Sequence, residues 1–399
     1  MTRVSPPRTS GRSRRPRSPS WVEVDCAALR HNVGALRGLL GSKCGVWAVV
    51  KANAYGHGLV PTARAVLQGG ATGLAVASVG EAARLRRAGL EDPILVLSAG
   101  DVRQAREVVR LRLRQTACRT DVLRALSQAA ERLGKYARVH LKIDTGMGRL
   151  GVSPEEAATF AGLALSLPGV RLDGVFSHLA TAESSDPAYA RLQFGRFRRA
   201  LDDMSAAGID PGRRHLANSA AALRFPEMRL DAVRTGLLIY GLLPDAPDLE
   251  RLDVRPALTW KTRVVFVHRL PPGSPVSYGG TFVTKGECLT GVLPVGYADG
   301  YPRQVSNRGH VLVRGKPCPV IGVVCMDHVM VDLGPAGNAQ VGDEVVLIGQ
   351  QGNAEITANH VAQWADTVVH EVSTMIGPRV SRLYVDEAEP VGLEPGPER

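Results

Sequence analysis

Short apolar runs alternate with amphipathic, helix-like stretches from Trp21 to about Arg251. Apolar runs that are buried on both faces and alternate with helices are typical of a parallel sheet. Eight such runs within roughly 200–250 residues predict a closed (β/α)8, or TIM, barrel rather than an open sheet. The runs are Val46–Val50, Gly73–Ala77, Ile94–Leu97, Arg114–Cys118, Arg138–Ile143, Leu172–Phe176, Arg213–Ala217 and Leu230–Val233. The helix-like stretches include Gly80–Ala88, Asp101–Leu111, Asp121–Leu133 and Pro154–Leu165.

The pattern changes after about Arg251, where runs broken by Gly and Pro replace the regular alternation. Strands are expected at Trp260–Leu270, Glu287–Gly296, His310–Arg314, Val320–Val324, Val329–Leu333 and Glu344–Ile348, with one helix at Ile356–Ala365. The fold class is therefore predicted to be α/β, with a barrel at 21–251 and a C-terminal, mainly antiparallel β domain at 252–385.

The two ends of the chain differ from this core in composition. Residues 1–20 hold six Arg, four Pro and no acid, which predicts a disordered basic tail. Residues 386–399 are acidic and carry three Pro, which predicts a second, flexible tail. The six Arg of the first tail supply more than half of the net charge of +11. The other Arg are scattered on helix faces, which favours a solvated surface over a nucleic-acid groove.

The six Cys offer no zinc-ligand or Cys-x-x-Cys spacing, so free thiols and no metal site are expected. No apolar run reaches the roughly 18 residues that span a bilayer. The N-terminus lacks the apolar segment of a signal peptide. These features predict a soluble cytoplasmic protein.

Clusters of residues with possible catalytic or binding roles follow five of the predicted barrel strands. They are Lys51 after the first run, Arg149 after the fifth, His178 after the sixth, Asn218 and Ser219 after the seventh, and Arg234 and Gly236 after the eighth. Because the strand ends of a barrel open onto one face, where barrel active sites are built, we expect these groups to converge.

The chemistry of this rim suggests a cofactor with an aldehyde and a phosphate. A lysine at the end of a buried strand is partly desolvated, which lowers its pKa and frees the amine of Lys51 as a nucleophile. Pyridoxal 5′-phosphate (PLP) enzymes use such a lysine. Tyr55 can reach over the same mouth, and Ser219 with the N–H groups near Gly236 lies where this fold usually binds phosphate.

Eight segments in register carry a resemblance to the alanine racemase family, over about Trp21 to Tyr384. They are Val49–Gly58, Lys142–Gly151, Phe176–His178, Ala217–Ser219, Arg234–Gly236, Ser277–Gly279, Gly296–Gly300 and Cys325–Asp327. The resemblance implies PLP as cofactor, a head-to-tail homodimer with shared active sites, and interconversion of L-alanine and D-alanine. It also implies that the product supplies peptidoglycan synthesis.

The resemblance assigns the catalytic roles. Lys51 would bind PLP as a Schiff base and act as one proton-transfer base. Tyr278 of the partner subunit would be the second base, because racemisation removes a proton from one face and returns it on the other. Tyrosine needs neighbours that favour its phenolate, and His178 is the expected one. Arg234 would face the pyridine nitrogen and keep its own proton.

The resemblance also assigns binding roles. Arg149 would clamp the substrate carboxylate or hold Tyr278, oriented by a carbamate on Lys142. The remaining binding residues fall into three groups: Tyr55, Asn218, Ser219, Gly236 and Leu237 at the phosphate, Met326 and Asp327 of the partner at the substrate, and Tyr297 at the entrance.

Some positions depart from the family pattern. His370 stands where the family usually carries a phosphate-binding Tyr, Thr235 where Pro is usual, and Val323 where Arg is frequent. An imidazole can still donate to phosphate, so His370 is retained as a cofactor-binding residue, while substrate breadth stays open.

Several alternatives stay open on the sequence. One is a racemase of broader specificity that accepts alanine and serine, and a less favoured one is a barrel-type PLP amino-acid decarboxylase. A PLP-carrier protein is disfavoured because such chains are a single barrel. Nucleic-acid binding rests on the basic tail alone and lacks interleaved aromatics.

Overall fold

The computed structural model of the chain describes residues 18–386 and 389–394. It divides into two compact units. The first, here called the barrel unit, comprises Cys26–Leu258 and Thr367–Met375. The second, here called the β unit, comprises, among the described residues, 18–25, Thr259–Asp366, 376–386 and 389–394.

The described strands, in chain order, are β1 (Ser20–Asp25), β2 (Gly45–Val49), β3 (Gly73–Val76), β4 (Ile94–Val96), β5 (Arg114–Ala117), β6 (Ala137–Lys142), β7 (Val170–Phe176), β8 (Arg213–His215), β9 (Ala232–Thr235), β10 (Leu258–Arg263), β11 (Phe266–Leu270), β12 (Pro275–Val276), β13 (Phe282–Val283), β14 (Cys288–Leu293), β15 (His310–Val313), β16 (Lys316–Pro319), β17 (Val329–Asp332), β18 (Glu344–Gln351), β19 (Ala354–Ile356), β20 (Ser381–Asp386) and β21 (Glu389–Glu394). The described α-helices are α1 (Cys26–Leu40), α2 (Lys51–Tyr55), α3 (Leu59–Gln68), α4 (Val79–Arg87), α5 (Ala105–Arg110), α6 (Thr120–Leu133), α7 (Ala157–Ser166), α8 (Ala188–Ala206), α9 (Ser219–Arg224), α10 (Ala358–Ala365) and α11 (Val369–Thr374).

Strands β2 to β9 form a closed parallel barrel. Closure occurs where β2 pairs with β9, in a register that joins Ala48 to Thr235. Strands β3 and β4 are buried at every position, as expected for strands covered on both faces. The predicted barrel is therefore confirmed, and each of its strands overlaps one of the eight apolar runs.

The polar strand β5 is accommodated because its side chains bond to carbonyl groups of the neighbouring strand and loop. Thr116 Oγ1 donates to the carbonyl of Val96 at 2.7 Å, and Gln115 Nε2 donates to the carbonyl of Ser98 at 2.7 Å. An unpaired hydroxyl or amide at such a buried position would cost roughly 1–3 kcal/mol. These bonds therefore let a strand with few apolar residues complete the barrel.

Helices α4, α5, α6 and α7 correspond to the four predicted helix-like stretches. The second stretch was predicted to begin at Asp101, but Val102–Gln104 forms a 3-10 turn and α5 begins only at Ala105. Helix α4 opens with a reciprocal capping box, in which Ser78 Oγ accepts the N–H of Glu81 and the Glu81 carboxylate accepts the N–H of Ser78. No helix within the described residues is both long and apolar enough to cross a bilayer.

The described residues of the β unit form three sheets. The largest has the strand order β16-β15-β18-β10-β1-β20-β21, with β19 attached to β18, and the others are β11-β14-β17 and β12-β13. Its antiparallel pairs include β10–β18, β11–β14 and β15–β18, whereas β1 pairs with β20 in parallel. The predicted, mainly antiparallel β domain is confirmed.

The structure corrects one predicted strand. Residues 320–324 form no strand, and only an isolated bridge joins Val320 to Val331. Gly322 has a φ of 75°, which is incompatible with an extended chain and turns the segment away from its neighbour.

The structure also moves the predicted domain boundaries. Strand β1 belongs to the β unit, although residues from Trp21 onward were assigned to the barrel. Strand β21 pairs with β20, and the Tyr384 hydroxyl donates to the Glu394 carboxylate at 2.9 Å. Residues 389–394 are thus a paired edge strand, where a flexible tail was expected. The disordered tail predicted for 1–20 concerns mainly residues 1–17, which lie outside the described residues.

Candidate active site

The carboxyl ends of the barrel strands surround a cavity of about 360 Å³ in the barrel unit. All of the predicted site residues that belong to this unit line it: Lys51, Tyr55, Lys142, Arg149, His178, Asn218, Ser219, Arg234, Gly236, Leu237 and His370. The five strand-end clusters therefore meet around one space.

Lys51 opens α2 at the end of β2, and most of this short element is a turn of left-handed backbone rather than a regular α-helix. Ala52, Asn53 and Ala54 have φ values of 53°, 53° and 55°, and Tyr55 follows with 52°. Residues with a side chain adopt this conformation at a cost of roughly 1–2 kcal/mol each. Such strain is typical of functional sites, and here both ends of the turn, Lys51 and Tyr55, line the cavity.

Two side chains hold the left-handed turn in place. Glu81 of α4 accepts the N–H of Ala52 through Oε1 at 2.7 Å and the N–H of Ala77 through Oε2 at 2.8 Å. Asn53 Oδ1 accepts the N–H of Leu59 at 3.0 Å. Glu81 thereby ties the loop after β2 to the loop after β3.

The surroundings of Lys51 favour its neutral amine. Burial lowers the pKa of Lys51, the charge of Arg149 lowers it further, and the carboxylate of Glu81 opposes both effects. A lysine with a lowered pKa is a better nucleophile near neutral pH.

The same cavity also offers a cradle of hydroxyl and backbone groups. A Cβ added to Gly236 would lie 2.5 Å from the Tyr55 hydroxyl oxygen, so only glycine fits there. Burial raises the pKa of Tyr55 to about 12, which keeps its hydroxyl protonated and able to donate. Ser219 opens α9, which Asn218 caps by accepting the N–H of Ala221 at 3.0 Å. This wall suits a small oxyanion.

Arg234 in β9 is 5% exposed and makes five hydrogen bonds. Nη1 donates to Nδ1 and to the carbonyl of His215, both at 3.0 Å. Nη2 donates to the carbonyls of Ser177 (2.7 Å) and Leu216 (3.0 Å) and to Nδ1 of His178 (3.1 Å). Burial lowers the pKa of Arg234 to about 9, so the guanidinium is still cationic at pH 7. Within the described residues no carboxylate pairs with it.

These bonds fix the protonation of three histidines. Arginine can only donate, so Nδ1 of His178 and Nδ1 of His215 must both accept. His215 therefore carries its proton on Nε2, which lies 2.8 Å from Nδ1 of His140. Burial and nearby cations lower the pKa of His178 and His215 well below its usual value, and that of His140 to about 3. All three rings are neutral at pH 7.

Lys142 ends β6 and is 6% exposed. Its Nζ donates to the carbonyl of Ile143 at 3.3 Å and lies 5.2 Å from the centre of the Phe176 ring. Burial, reinforced by Arg234, lowers the pKa of Lys142 to about 7. A large share of this amine is therefore neutral at physiological pH, and a neutral amine is the form that adds to carbon dioxide.

The loop that carries Arg149 is organised by Asp144. Oδ1 of Asp144 accepts the N–H groups of Gly146, Met147 and Gly148 at 2.9, 2.8 and 3.2 Å, and Oδ2 accepts that of Arg149 at 3.0 Å. Burial acts to raise the pKa of Asp144, but the four N–H groups outweigh it and lower that pKa. The loop is thus built around an ionised carboxylate.

His370 reaches the cavity from α11. A Cβ added to Gly56 would collide with the carbonyl oxygen of Ser373, so α11 lies directly against the turn that follows Lys51. The ring centre of His370 is 5.8 Å from that of Tyr55. Burial, with the charge of Lys51, lowers the pKa of His370, which leaves the imidazole mainly neutral at pH 7.

The remaining predicted residues belong to the β unit. The side chains of Tyr278, Met326 and Tyr297 are exposed, Tyr278 most of all at 73%. The N–H of Tyr297 donates to the carbonyl of Cys325 at 3.1 Å, so the loops that bear Tyr297 and Met326 are joined. Exposed aromatic and thioether groups of this kind are enriched at protein interfaces.

An ionic contact fixes the same two loops. Arg379 Nη2 donates to Oδ1 of Asp327 at 2.6 Å, and Nε of Arg379 lies 3.6 Å from Oδ1 of the buried Asp299. Asp299 also accepts the N–H of Gly296 at 3.0 Å. The predicted residue Asp327 therefore supports the loop that presents Met326.

Comparison with known proteins decides the family. The family model for the alanine racemase N-terminal domain matches residues 24–244, and the model for the C-terminal domain matches residues 257–384. An alanine racemase of Symbiobacterium thermophilum is 48% identical over 371 residues, which cover 92% of this chain and 98% of that protein. The chain belongs to the alanine racemase family.

Solved structures of the alanine racemase family extend this similarity to the fold. The alanine racemase of Bacillus anthracis with bound L-Ala-P matches with a TM-score of 0.89 at 36% identity, over 95% of this chain and 98% of that one. A histidine racemase of Leuconostoc mesenteroides matches with a TM-score of 0.84 at 28% identity, over 93% and 99%. Proteins of this fold therefore act on more than one amino acid.

Three acidic residues of the site were not predicted from the sequence. Glu81 and Asp144 hold the loops of Lys51 and Arg149, and Glu183 lines the cavity, where burial and the nearby Asp245 raise its pKa. The capping-box spacing of Ser78 and Glu81 was the one available signal. Within the described residues, no group of His, Cys, Asp and Glu side chains could hold a metal ion.

Proposed function

We propose that this chain is a PLP-dependent alanine racemase that interconverts L-alanine and D-alanine. The observation that carries the proposal is the cavity that joins the amine of Lys51 to the cradle around Gly236 and to the carboxylate-free guanidinium of Arg234. An aldehyde, a phosphate and a ring nitrogen are the three features of PLP that these groups would meet.

The residues present fit this cofactor. The absence of a side chain at Gly236 lets the Tyr55 hydroxyl approach the backbone there, since a Cβ would lie 2.5 Å from the hydroxyl oxygen, and this brings two donors for a phosphate close together. Ser219, with the N–H groups of Gly236 and Leu237, would complete the phosphate site, and Asn218 would fix its edge. When bound, PLP supplies an electron sink for negative charge at the α-carbon of the substrate.

Arg234 would face the ring nitrogen. Nη1 and Nη2 are occupied by their five bonds, while Nε makes no hydrogen bond within the described residues. A guanidinium that stays protonated leaves the ring nitrogen largely unprotonated. By keeping its proton, Arg234 would weaken the electron sink and so disfavour side reactions such as transamination.

Two bases on opposite faces of the substrate would exchange its α-proton. Lys51, whose pKa is lowered by burial, would serve one face with its amine, and Tyr278 of the partner subunit would serve the other. The high exposure of Tyr278 is compatible with a role in another copy. His178 accepts from Arg234 through Nδ1, so its Nε2 carries the proton that would be donated to the phenol oxygen.

The substrate carboxylate would be bound by Arg149 and by the N–H of the partner subunit's Met326. A carbamate on Lys142 would give Arg149 an anionic partner. The partner subunit's Asp327 would line the same wall, and its Tyr297 would narrow the entrance.

His370 would complete the outer wall of the phosphate site. Its imidazole is smaller than the family's usual phenol and carries a second heteroatom. A racemase that accepts serine as well as alanine is therefore a second candidate function.

We place the enzyme in the cytoplasm as a homodimer that supplies D-alanine for peptidoglycan.

Incubation of the purified protein with L-alanine in deuterated water tests the proposal. Loss of optical rotation with uptake of one α-deuterium is expected, whereas release of carbon dioxide would indicate a decarboxylase, and no reaction a carrier. Lys51→Ala should abolish both turnover and the visible absorbance of covalently bound PLP. Tyr278→Phe should slow α-proton exchange from one enantiomer more than from the other.

A further inference from the structure

Tyr278 lies at the tip of a short hairpin in the β unit. Strands β12 and β13 form the hairpin, with Val276 opposite Phe282. Val276 belongs to a small apolar cluster with Cys288 and Ile321, against which Phe282 packs. The base of the hairpin is therefore anchored by apolar contacts, but the tip at 277–281 is largely exposed and needs another restraint.

The backbone of Ser277 is strained. Its φ of 64° and ψ of −174° fall in a region that is essentially restricted to glycine. A residue with a side chain remains there only where its surroundings hold it. Ser277 Oγ supplies such a restraint, because it donates to the carbonyl of Val323 at 2.6 Å and lies 3.4 Å from the Cys325 sulfur.

The segment that receives this bond is itself fixed. A Cβ added to Gly322 would lie 2.6 Å from the carbonyl oxygen of Val276, so glycine allows the two loops to approach. The N–H of Gly322 donates to Oδ1 of Asn307 at 2.6 Å, and that of Val324 donates to Oγ of Ser306 at 2.9 Å. The acceptor carbonyl of Val323 is therefore held on both sides.

Asn307, which accepts the N–H of Gly322, also holds the far end of the hairpin tip. Asn307 Nδ2 donates to Oγ1 of Thr281 at 3.0 Å. Ser277 and Thr281 flank the turn that begins at Tyr278. One end of that turn is therefore tied to Val323 and the other to Asn307, which also binds the N–H of Gly322. Because the Ser277 bond uses a backbone carbonyl, the side chain at position 323 does not affect it.

We propose that Ser277 is a positioning residue for Tyr278, and that its bond to Val323 fixes the turn that presents the phenol to the α-proton. This inference rests on the proposed role of Tyr278 as a base. Ser277 itself touches no substrate in this scheme and acts only through Tyr278.

Two substitutions separate the effect of the hydrogen bond from Ser277 to Val323 from the effect of the strained backbone at Ser277. Ser277→Ala removes the hydroxyl and keeps the steric cost of the Cβ, so the turn should relax and α-deuterium uptake from one enantiomer should fall about 10²-fold, as for a displacement of about 1 Å. Ser277→Gly removes the hydroxyl but adopts the same backbone freely, so the loss should be about tenfold. Both variants should show the enantiomer preference of Tyr278→Phe in weaker form.

The matched control is Ser274→Ala. Ser274 Oγ donates to the carbonyl of Pro271 at 2.8 Å in the same hairpin but lies outside the strained turn. This variant should leave the preference between enantiomers unchanged. Equal losses from both enantiomers in Ser277→Ala, or a Ser277→Gly enzyme slower than Ser277→Ala, would overturn the inference.

A second measurement is independent of the chemistry. Amide hydrogen exchange of the holoenzyme, followed by mass spectrometry over residues 275–283, should quicken in Ser277→Ala and not in Ser274→Ala. Unchanged exchange in Ser277→Ala would refute the anchor. Faster exchange, together with a Tyr278→Phe variant that keeps full activity, would instead refute the proposed role of Tyr278.

Discussion

Nη2 of Arg234 donates a hydrogen bond to Nδ1 of His178 across 3.1 Å. This contact links the proposed cofactor ligand to the proposed partner of Tyr278 and keeps the imidazole of His178 neutral. His215 and His140 continue the network on the other side of the guanidinium. The result is a set of buried, neutral histidines whose protonation would disrupt the site.

The buried histidines predict acid sensitivity. Their folded pKa values lie below the unfolded value, so below about pH 6.5 the unfolded chain binds more protons and the free energy of unfolding falls. Each contributes a slope of about 1.4 kcal/mol per pH unit, for His140 down to its folded pKa of about 3. His140→Asn should remove one such slope in denaturant titrations between pH 4 and 6.5. Equal slopes for wild type and His140→Asn would contradict the assignment.

Gly236 predicts a steric effect on cofactor affinity. Gly236→Ala places a methyl group against the Tyr55 hydroxyl and should weaken PLP binding at least about tenfold, which is about 1.4 kcal/mol. Fluorescence titration of the apoenzyme measures this constant. Gly195→Ala, where a Cβ meets nothing within 4 Å, should leave it unchanged. Wild-type affinity in Gly236→Ala would place the phosphate elsewhere.

Lys142 predicts a labile modification. The neutral amine that burial produces should react with dissolved carbon dioxide, and protein equilibrated with ¹³C-bicarbonate should show a carbamate signal by NMR. The signal should vanish in Lys142→Arg and after removal of carbon dioxide. Electron density for a bare amine at Lys142 in crystals grown with bicarbonate would rule the carbamate out.

Substitution of Glu81 should change both the geometry of the loop and the charge near Lys51. Glu81→Gln keeps one acceptor oxygen but removes the charge that raises the Lys51 pKa, so the pH at which Lys51 titrates should fall. The pH dependence of the rate at which the apoenzyme captures PLP measures this shift, because only the neutral amine of Lys51 adds to the aldehyde. Glu81→Ala should also slow recapture of PLP by the apoenzyme, because the left-handed turn loses its tie to Ala52. Matching pH profiles for wild type and Glu81→Gln would show that the carboxylate acts only through packing.

The barrel could be predicted from sequence because most of its strands are short apolar runs with helix-like stretches between them. The convergence of Lys51, His178 and Arg234 on one rim followed from that topology. The left-handed turn at Ala52–Tyr55 could not, because none of its residues is glycine and its support comes from Glu81 in another helix. Likewise, the four N–H groups around Asp144 are a feature of loop geometry with no hydrophobic signature.

The β unit was harder to predict, because its structure depends on a backbone turn inside an apolar segment and on pairing between distant segments. Gly322 interrupts an otherwise apolar segment, so 320–324 was taken as a strand although its backbone turns. Strand β1 was assigned to the barrel because its partner β20 lies at the other end of the chain. Pairing between distant segments leaves no local pattern.

The parallel pairing of Trp21 with Ser381 and of Val24 with Tyr384 has a consequence for biogenesis. As the ribosome releases the chain, all eight barrel strands emerge before β10 and β20, the two strands beside β1 in its sheet, exist. Ser20–Asp25 must therefore wait, unpaired, through most of translation. Shortening or deleting this segment should spare early barrel folding and impair only the last stage of maturation.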